Sequence, residues 1–327
     1  MGKLIKVAFV DFEPGFVPEK SLLYRTLLQK YSVELSKEPD YVFYSNYGER
    51  HLRYDCIRIF YTRENIAPDF NFCDYAIGFD YLTLGDRYFR FPAYYLDREN
   101  FALMSDKTYF TSDNIRSKGC FCGFHYGLQE DTPERSLFFD RLSEYRSVES
   151  AGPLHNTLEG VVSEKQPFLA NCKFSIAFEE CSHPGYTSDV LMQAFAAQTI
   201  PIYWGNPFIG REFNTQAFVN CHDFHSWSEV IDAVRRIDTN DELYLKMMRT
   251  PALTGPERDI DRMEENLQAF LCSIIDRPLE NARRTSRSAA RAAFEKRART
   301  KEILYRISPL GWWEFFNSQL RTIRKQS

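Results

Sequence analysis

The sequence predicts an α/β protein made of two halves, each a parallel sheet flanked by helices in a Rossmann-like layer. Apolar runs of strand length alternate with helical stretches, the pattern of βαβ units. That pattern restarts near Thr111, and 327 residues exceed the usual size of a single core. No linker rich in Gly or Ser divides the halves, so a short join with a ligand cleft between them is expected.

Lys3–Val10 alternates and then runs apolar, as a buried first strand does. Ser21–Tyr31 fits an amphipathic helix through Leu22, Leu23, Leu27 and Leu28. Strand-like runs follow at Tyr41–Tyr44, Ile57–Tyr61 and Tyr75–Gly78, and then at Phe121–Phe124. Pro133–Tyr145 reads as a helix with Pro in its first turn, and Gly160–Ala170 as another. Phe174–Phe178 is a strand, Ser188–Gln198 a helix, and Thr199–Trp204 a strand closed by Gly205-Asn206-Pro207. Trp227–Ile237 and Glu242–Arg249 are helical. Residues 281–307, rich in Ala and Arg, form a basic helix that Ser308-Pro309 breaks. Trp312, Trp313, Phe315, Phe316, Leu320 and Ile323 follow among basic residues. The expected divisions are 1–112, 113–276 and a basic amphipathic tail, 277–327.

An apolar content of 44% excludes disorder as the dominant state. Aromatic residues reach 16%, with 28 Phe and 19 Tyr, mostly core by expectation and partly available to line a cleft. No window holds 18 successive apolar residues, which excludes a spanning helix, and the N-terminus reads as a strand rather than a signal peptide. The eight Cys are then expected as reduced, buried thiols. Net charge is −4, yet 277–327 hold 13 Lys/Arg against 4 Glu, so an acidic body carries a tail of +9.

Chemistry concentrates in CKFSIAFEECSHPGYTSDVLMQAFAAQTIPIYWGNP, residues 172–207, read as strand, loop, helix start, helix and strand. The loop and helix start offer backbone N–H groups and a dipole end to a phosphate or diphosphate. Ser188 and Asp189 stand at that start; Asp189 suits a helix cap or an acceptor for sugar hydroxyls. Glu64 directly follows a strand, where a carboxylate serves as general base or as a solvated surface charge.

These stretches resemble the family 10 glycosyltransferases, the bacterial α-1,3/4-fucosyltransferases. The resemblance rests on FYTREN at 60–65, FCDYAIGFD at 72–80, DRYFRFPAYY at 86–95, the 172–207 block with TIPIYWG, and FNTQAFVNCHDF at 213–224. It runs from about Leu4 to Phe270. It implies a GT-B fold, two Rossmann-like domains facing a cleft, the first receiving the acceptor and the second holding GDP-fucose. It implies an inverting transfer that needs no metal and no cofactor beyond the donor substrate, with an oligosaccharide or lipid-linked glycan as acceptor. Position by position, Glu64 matches the base and Arg135, in TPERSLFFDRL, an arginine on the donor diphosphate. Tyr186 matches a tyrosine near the base or sugar, and Asp189 stands where the family usually has Glu and would hold donor hydroxyls. Lys173 matches a lysine before the donor-domain strand and is given a structural role.

Two departures stand out. Val190 replaces a lysine that would meet the phosphate, a loss of about 1.5–3 kcal/mol in binding. Glu180 replaces an asparagine and puts an acid beside the expected donor site. Arg63 or Arg211 would then supply the missing cation. These departures motivate two alternatives, a transferase for a different nucleotide sugar and a degenerate glycan-binding paralogue. Cys120-x-Cys122 with His125 lacks the partners of a four-ligand metal site and reads as buried strand cysteine. His183 suits phosphate contact or the surface equally. The tail suits an anionic membrane surface, which would place the protein in the cytoplasm, peripheral on the inner face of the membrane. The other reading packs the tail on the body; no recognised fold supports nucleic-acid binding.

Overall fold

The computed structural model describes residues 2–105, 117–158, 160, 162, 164–253, 255, 259–286, 288–306 and 308. The first sheet holds β1 (Leu4–Val10), β2 (Ser32–Leu35), β3 (Tyr41–Tyr44), β4 (Ile57–Tyr61), β5 (Tyr75–Gly78) and β6 (Tyr88–Arg90). Its order is β2-β1-β3-β4-β5-β6 and every pairing is parallel. The second sheet holds β7 (Cys120–Phe124), β8 (Val148–Ser150), β9 (Cys172–Phe178), β10 (Ile200–Trp204) and β11 (Val219–Asn220). Its order is β11-β10-β9-β7-β8, again all parallel. Parallel strands are covered on both faces, which is why YVFY in β3 and CFCGF in β7 are buried at every position. The unforeseen β2 is a mostly exposed edge strand, SVEL, whose polar–apolar alternation is only four residues long.

Local chemistry sets the helix starts. Ser21 accepts the Tyr24 N–H at 3.2 Å ahead of Leu22–Leu28, and Ser226 accepts the Glu229 N–H at 3.3 Å ahead of Trp227–Asp238. The latter helix buries Val230, Ala233, Val234 and Ile237. Aromatic residues fill the second core: Phe138 and Trp227 pack on Phe178 at centroid distances of 5.0 and 5.7 Å.

The chain divides into two compact units, residues 1–78, 82–91 and 264–327 in the first, and 79–81 with 92–263 in the second. These divisions differ from the expected 112/113 and 276/277. The first unit ends its sheet with β6, and the next helix, Arg98–Ser105, packs on the helix Val190–Ala196 of the second unit. The helix Ile260–Ile275, which sequence reading missed, then returns to the first unit. There Phe270 stacks on Phe89 at 5.4 Å, and the Ile275 carbonyl accepts Lys3 Nζ at 2.6 Å.

The basic tail starts as a short helix, Leu279–Ala282, followed by Ala289–Arg306. Both belong to the first unit. Asp74 Oδ1 accepts the N–H groups of Arg284 and Thr285 at 2.8 and 2.7 Å, and Phe294 stacks on Phe72 at 5.3 Å. Glu295 Oε1 accepts Arg58 Nη2 and Arg299 Nη2, both at 2.7 Å. As far as it is described, the tail packs on the body; the Trp312 to Ile323 stretch lies outside the described residues.

Burial alone would raise the Glu295 carboxyl, but the guanidinium groups of Arg58, Arg299 and Arg291 outweigh it and bring it down to about 2. Its contribution is therefore full above the ordinary 4.5 and fades as pH falls toward about 2. Glu295→Gln leaves the Arg58 cation buried and should cost about 3 kcal/mol near neutral pH. Urea unfolding of wild type and variant checks this: the gap should close on acidification, and a gap constant with pH would assign the effect to packing.

Candidate active site

In open parallel sheets ligands gather at the carboxyl ends of strands, and β9 ends at Phe178. Tyr126, two residues beyond β7, is anchored there. Its hydroxyl accepts the Phe178 N–H at 2.8 Å and lies within 3.1 Å of the Phe178 carbonyl. Pro133 and the N-cap Thr132 start the helix that carries Arg135. Arg135 is 4% exposed, and its guanidinium lies 4.3 Å over the Tyr126 ring. Its Nε and Nη2 donate to the Phe178 carbonyl at 3.2 and 2.8 Å, and Nη1 donates to the Glu130 carbonyl. The Nε–Nη2 edge is thus held by the strand end and Nη1 by the turn before the helix.

A second cation stands beside it. Lys165, at the start of the helix Lys165–Ala170, places Nζ 5.5 Å from the centre of the same Tyr126 ring. Burial pulls its ammonium down, and Arg135 adds repulsion, against the attraction of Asp189, Glu130 and Glu179. Val190 contributes no charge; it packs on the apolar core of this unit. Arg211 lies over the rings of Tyr81 and Phe208, and Arg63 pairs with Glu13 at 3.0 Å. The cation found with Arg135 is therefore Lys165, neither of the two weighed from sequence.

The carboxylate buried here is Glu179, 1% exposed, whereas Glu180 is exposed. Glu179 Oε1 accepts the Ser188 N–H at 2.9 Å and lies 3.4 Å from the Tyr203 hydroxyl. Gly205 makes room: a Cβ there would sit 2.2 Å from Glu179 Cγ. Burial lifts the Glu179 carboxyl to about 7 against the lowering effect of the Ser188 hydrogen bonds. Asp189 occupies the N-cap position of Val190–Ala196 but makes no side-chain cap; its Oδ2 accepts Gln193 Nε2 at 2.6 Å. The expected cap is absent because Asp189 already has helical backbone angles, φ −87° and ψ −7°. Tyr186 is 7% exposed and meets Phe79 edge-on at 5.1 Å. The loop before it turns at Gly185, where φ is +86° and a Cβ would approach the Phe79 carbonyl to 2.8 Å. His183 pairs with Asp80 at 3.0 Å, and Lys173 holds Asp238, the structural role expected of it. Cys120 and Cys122 are buried in β7, and His125 Nε2 faces the Val162 carbonyl at 3.0 Å.

Glu64 belongs to the first unit, in the turn after β4. Its N–H donates to Thr62 Oγ1 at 3.0 Å, and Thr62 Oγ1 donates to Asn46 Oδ1 at 3.0 Å. Its Oε1 accepts the Tyr47 hydroxyl at 2.8 Å. Asp11 fixes the loop that supplies Asn46 and Tyr47. Its carbonyl accepts the Tyr47 N–H at 2.9 Å, and its carboxylate takes the N–H groups of Arg50 and His51 at 3.0 and 2.8 Å. Asp11 is 1% exposed at φ +58°, a strained setting that these bonds hold in place. A half-buried carboxylate held this way can accept a proton from a hydroxyl.

Two all-parallel α/β sheets, each in its own unit, are the architecture of the GT-B fold. A solved structure described as an α1,3-fucosyltransferase matches with a TM-score of 0.72 at 28% identity, covering 84% of this chain and 91% of that one. The same description with GDP-fucose matches at TM-score 0.69 and 27% identity over 83% of this chain and 91% of that one. The family model for the α-(1,3)-fucosyltransferase FucT N-terminal domain matches residues 7–97, and that for the C-terminal part of glycosyltransferase family 10 (fucosyltransferase) matches 122–291. The chain belongs to glycosyltransferase family 10. The α-(1,3)-fucosyltransferase FucT of Helicobacter pylori is 35% identical over 267 residues, 70% of this chain and 56% of that relative. The chain thus spans little more than half of that relative's length.

With Glu179 lifted to about 7, the folded protein holds a proton that the unfolded chain releases near 4.5. Stability therefore falls as pH rises through that window, by up to about 3 kcal/mol, and levels off above it. Glu179→Gln should remove this slope; chemical unfolding across the window reads it, and an unchanged slope would place the proton elsewhere.

Proposed function

We propose that this chain transfers fucose from GDP-fucose to a hydroxyl of a glycan acceptor, with inversion and without a metal. The observation that carries the reading is the likeness, at 27% identity over most of both chains, to a structure described with GDP-fucose. In this reading Glu64 takes the proton of the acceptor hydroxyl as that oxygen attacks the anomeric carbon. The bond from that carbon to the β-phosphate oxygen breaks from the opposite face through an oxocarbenium-like state, by analogy with inverting glycosidases. Arg135 and Lys165 meet the charge that builds on the departing diphosphate. Tyr47 and Thr62 hold Glu64 in position rather than touch the reacting atoms.

Val190, uncharged and set against the core, favours a second reading: the same chemistry with another nucleotide sugar. We further propose an oligosaccharide or lipid-linked acceptor. The charge of +9 over 277–327 supports contact with an anionic membrane surface, with the protein peripheral on the cytoplasmic face.

A donor screen with EDTA present separates the two readings. Transfer from GDP-fucose alone supports the first, and transfer only from another nucleotide sugar overturns it in favour of the second. Glu64→Gln should keep GDP affinity and lower kcat by about a hundredfold or more, and unchanged turnover would remove the base assignment. Tyr47→Phe should lower kcat about tenfold with GDP affinity unchanged. Lys165→Met should weaken GDP about tenfold in calorimetry and leave guanosine unaffected; equal weakening of both would make Lys165 structural.

A further inference from the structure

The first unit carries a second concentration of positive charge, remote in sequence from the donor residues. A cavity of about 600 Å³ lies where the helix Ala289–Arg306 meets Asp55. Four cations line it, Arg283, Arg291, Lys296 and Arg299, against two carboxylates, Asp55 and Glu295. Arg283 and Arg291 are deep, with side chains only 16% and 18% exposed. Arg58 lies behind them, 5% exposed at its side chain and bound to the same Glu295. Glu295 therefore serves three guanidinium groups at once, Arg58, Arg291 and Arg299.

The charges do not balance. The lining carries a surplus of two positive charges, and Arg58 raises it to three. Lys296 is exposed and the Arg299 side chain 42% exposed, whereas Arg58, Arg283 and Arg291 are largely buried, and buried cations in excess of anions are costly unless an anion completes the set. Hydrogen bonding is incomplete as well: Arg58 Nη1 and Arg299 Nε are buried N–H groups without a partner among the described residues. Ser286 and Ser288 add hydroxyls to the wall, and Ser288 Oγ accepts the Arg291 N–H at 3.2 Å at the start of the helix. Guanidinium forks match phosphate oxygens in geometry. A phosphate monoester carries roughly two negative charges near neutral pH, which meets the surplus of two over the lining; a single carboxylate does not.

We propose that this cavity is an anion site for a phosphate monoester or pyrophosphate group, separate from the donor seat. The group can belong to a free metabolite or to a phospholipid headgroup. Either source would tie the helix Ala289–Arg306 to the segment carrying Arg283, because both contribute cations to the lining.

The test uses the full chain and the double variant Lys296→Gln/Arg299→Gln, which spares the deeper Arg58 and Arg283. Calorimetry with sodium pyrophosphate, run with GDP saturating, should show a site in the wild type that is at least about tenfold weaker in the variant, while GDP affinity itself stays equal. Flotation with vesicles of phosphatidylcholine, with and without phosphatidic acid, separates the sources. Loss of the phosphatidic-acid gain in the variant assigns a headgroup; an equal gain beside weakened pyrophosphate assigns a free phosphate compound. Equal pyrophosphate affinity in both proteins, or no second site in the wild type, overturns the proposal. Lys296→Arg is the control for folding: it keeps the charge of an exposed lining residue, and should retain the binding.

Discussion

The carbonyl of Phe178 joins the parts of the second unit. It ends the central strand of the second sheet, takes two N–H groups of Arg135, and lies beside the hydroxyl of Tyr126. A carbonyl at a strand's end would otherwise want water or a further strand. Here a buried cation satisfies it, and the aromatic ring beneath offsets part of the desolvation. Lys165 reaches the same ring from another helix, and Glu179, the next residue in the chain, turns inward under Ser188. Strand end, two cations and one protonatable acid thus form a single electrostatic unit, in which altering any member changes the field at the others.

The first unit solves a different problem, holding one carboxylate still on a turn. Asp11 accepts a strained backbone and spends its oxygens on the N–H groups of a neighbouring loop. That loop in turn delivers Tyr47 and Asn46 to the segment carrying Glu64. The precision of the carboxylate is thus built from short bonds one or two residues away, anchored in the sheet itself.

How much of this could be read from the sequence follows from where each signal lies. Strands β3, β4 and β5 were legible to the residue because each is a short apolar run between turns. Strands β2, β6, β8 and β11 were not, because SVEL, YFR, VES and VN hold no continuous apolar run. The helix Ile260–Ile275 did carry a stripe, Leu267, Leu271, Ile274 and Ile275, but it sat among acidic residues and passed unread. Arg135, Ser188, Asp189 and Tyr186 could be named from the motif around them. Glu179 rather than Glu180 turns inward, which alternation does not reveal, because β9 is buried on both faces. Lys165 had no local signal, because it meets Arg135 through the fold and not through spacing.

The first unit is assembled from both ends of the chain. Its sheet comes from residues before 92, yet the helix that covers Tyr75 and Phe89, and the Asp74 contacts of Arg284 and Thr285, come after 263. A ribosome completes the second unit's sequence before the first unit has its closing pieces. The first unit must therefore wait, its half-covered sheet exposed, until the last stretch emerges. Removing residues 264–306 is consequently no neutral trimming: it withdraws a wall from the lobe that was synthesised first.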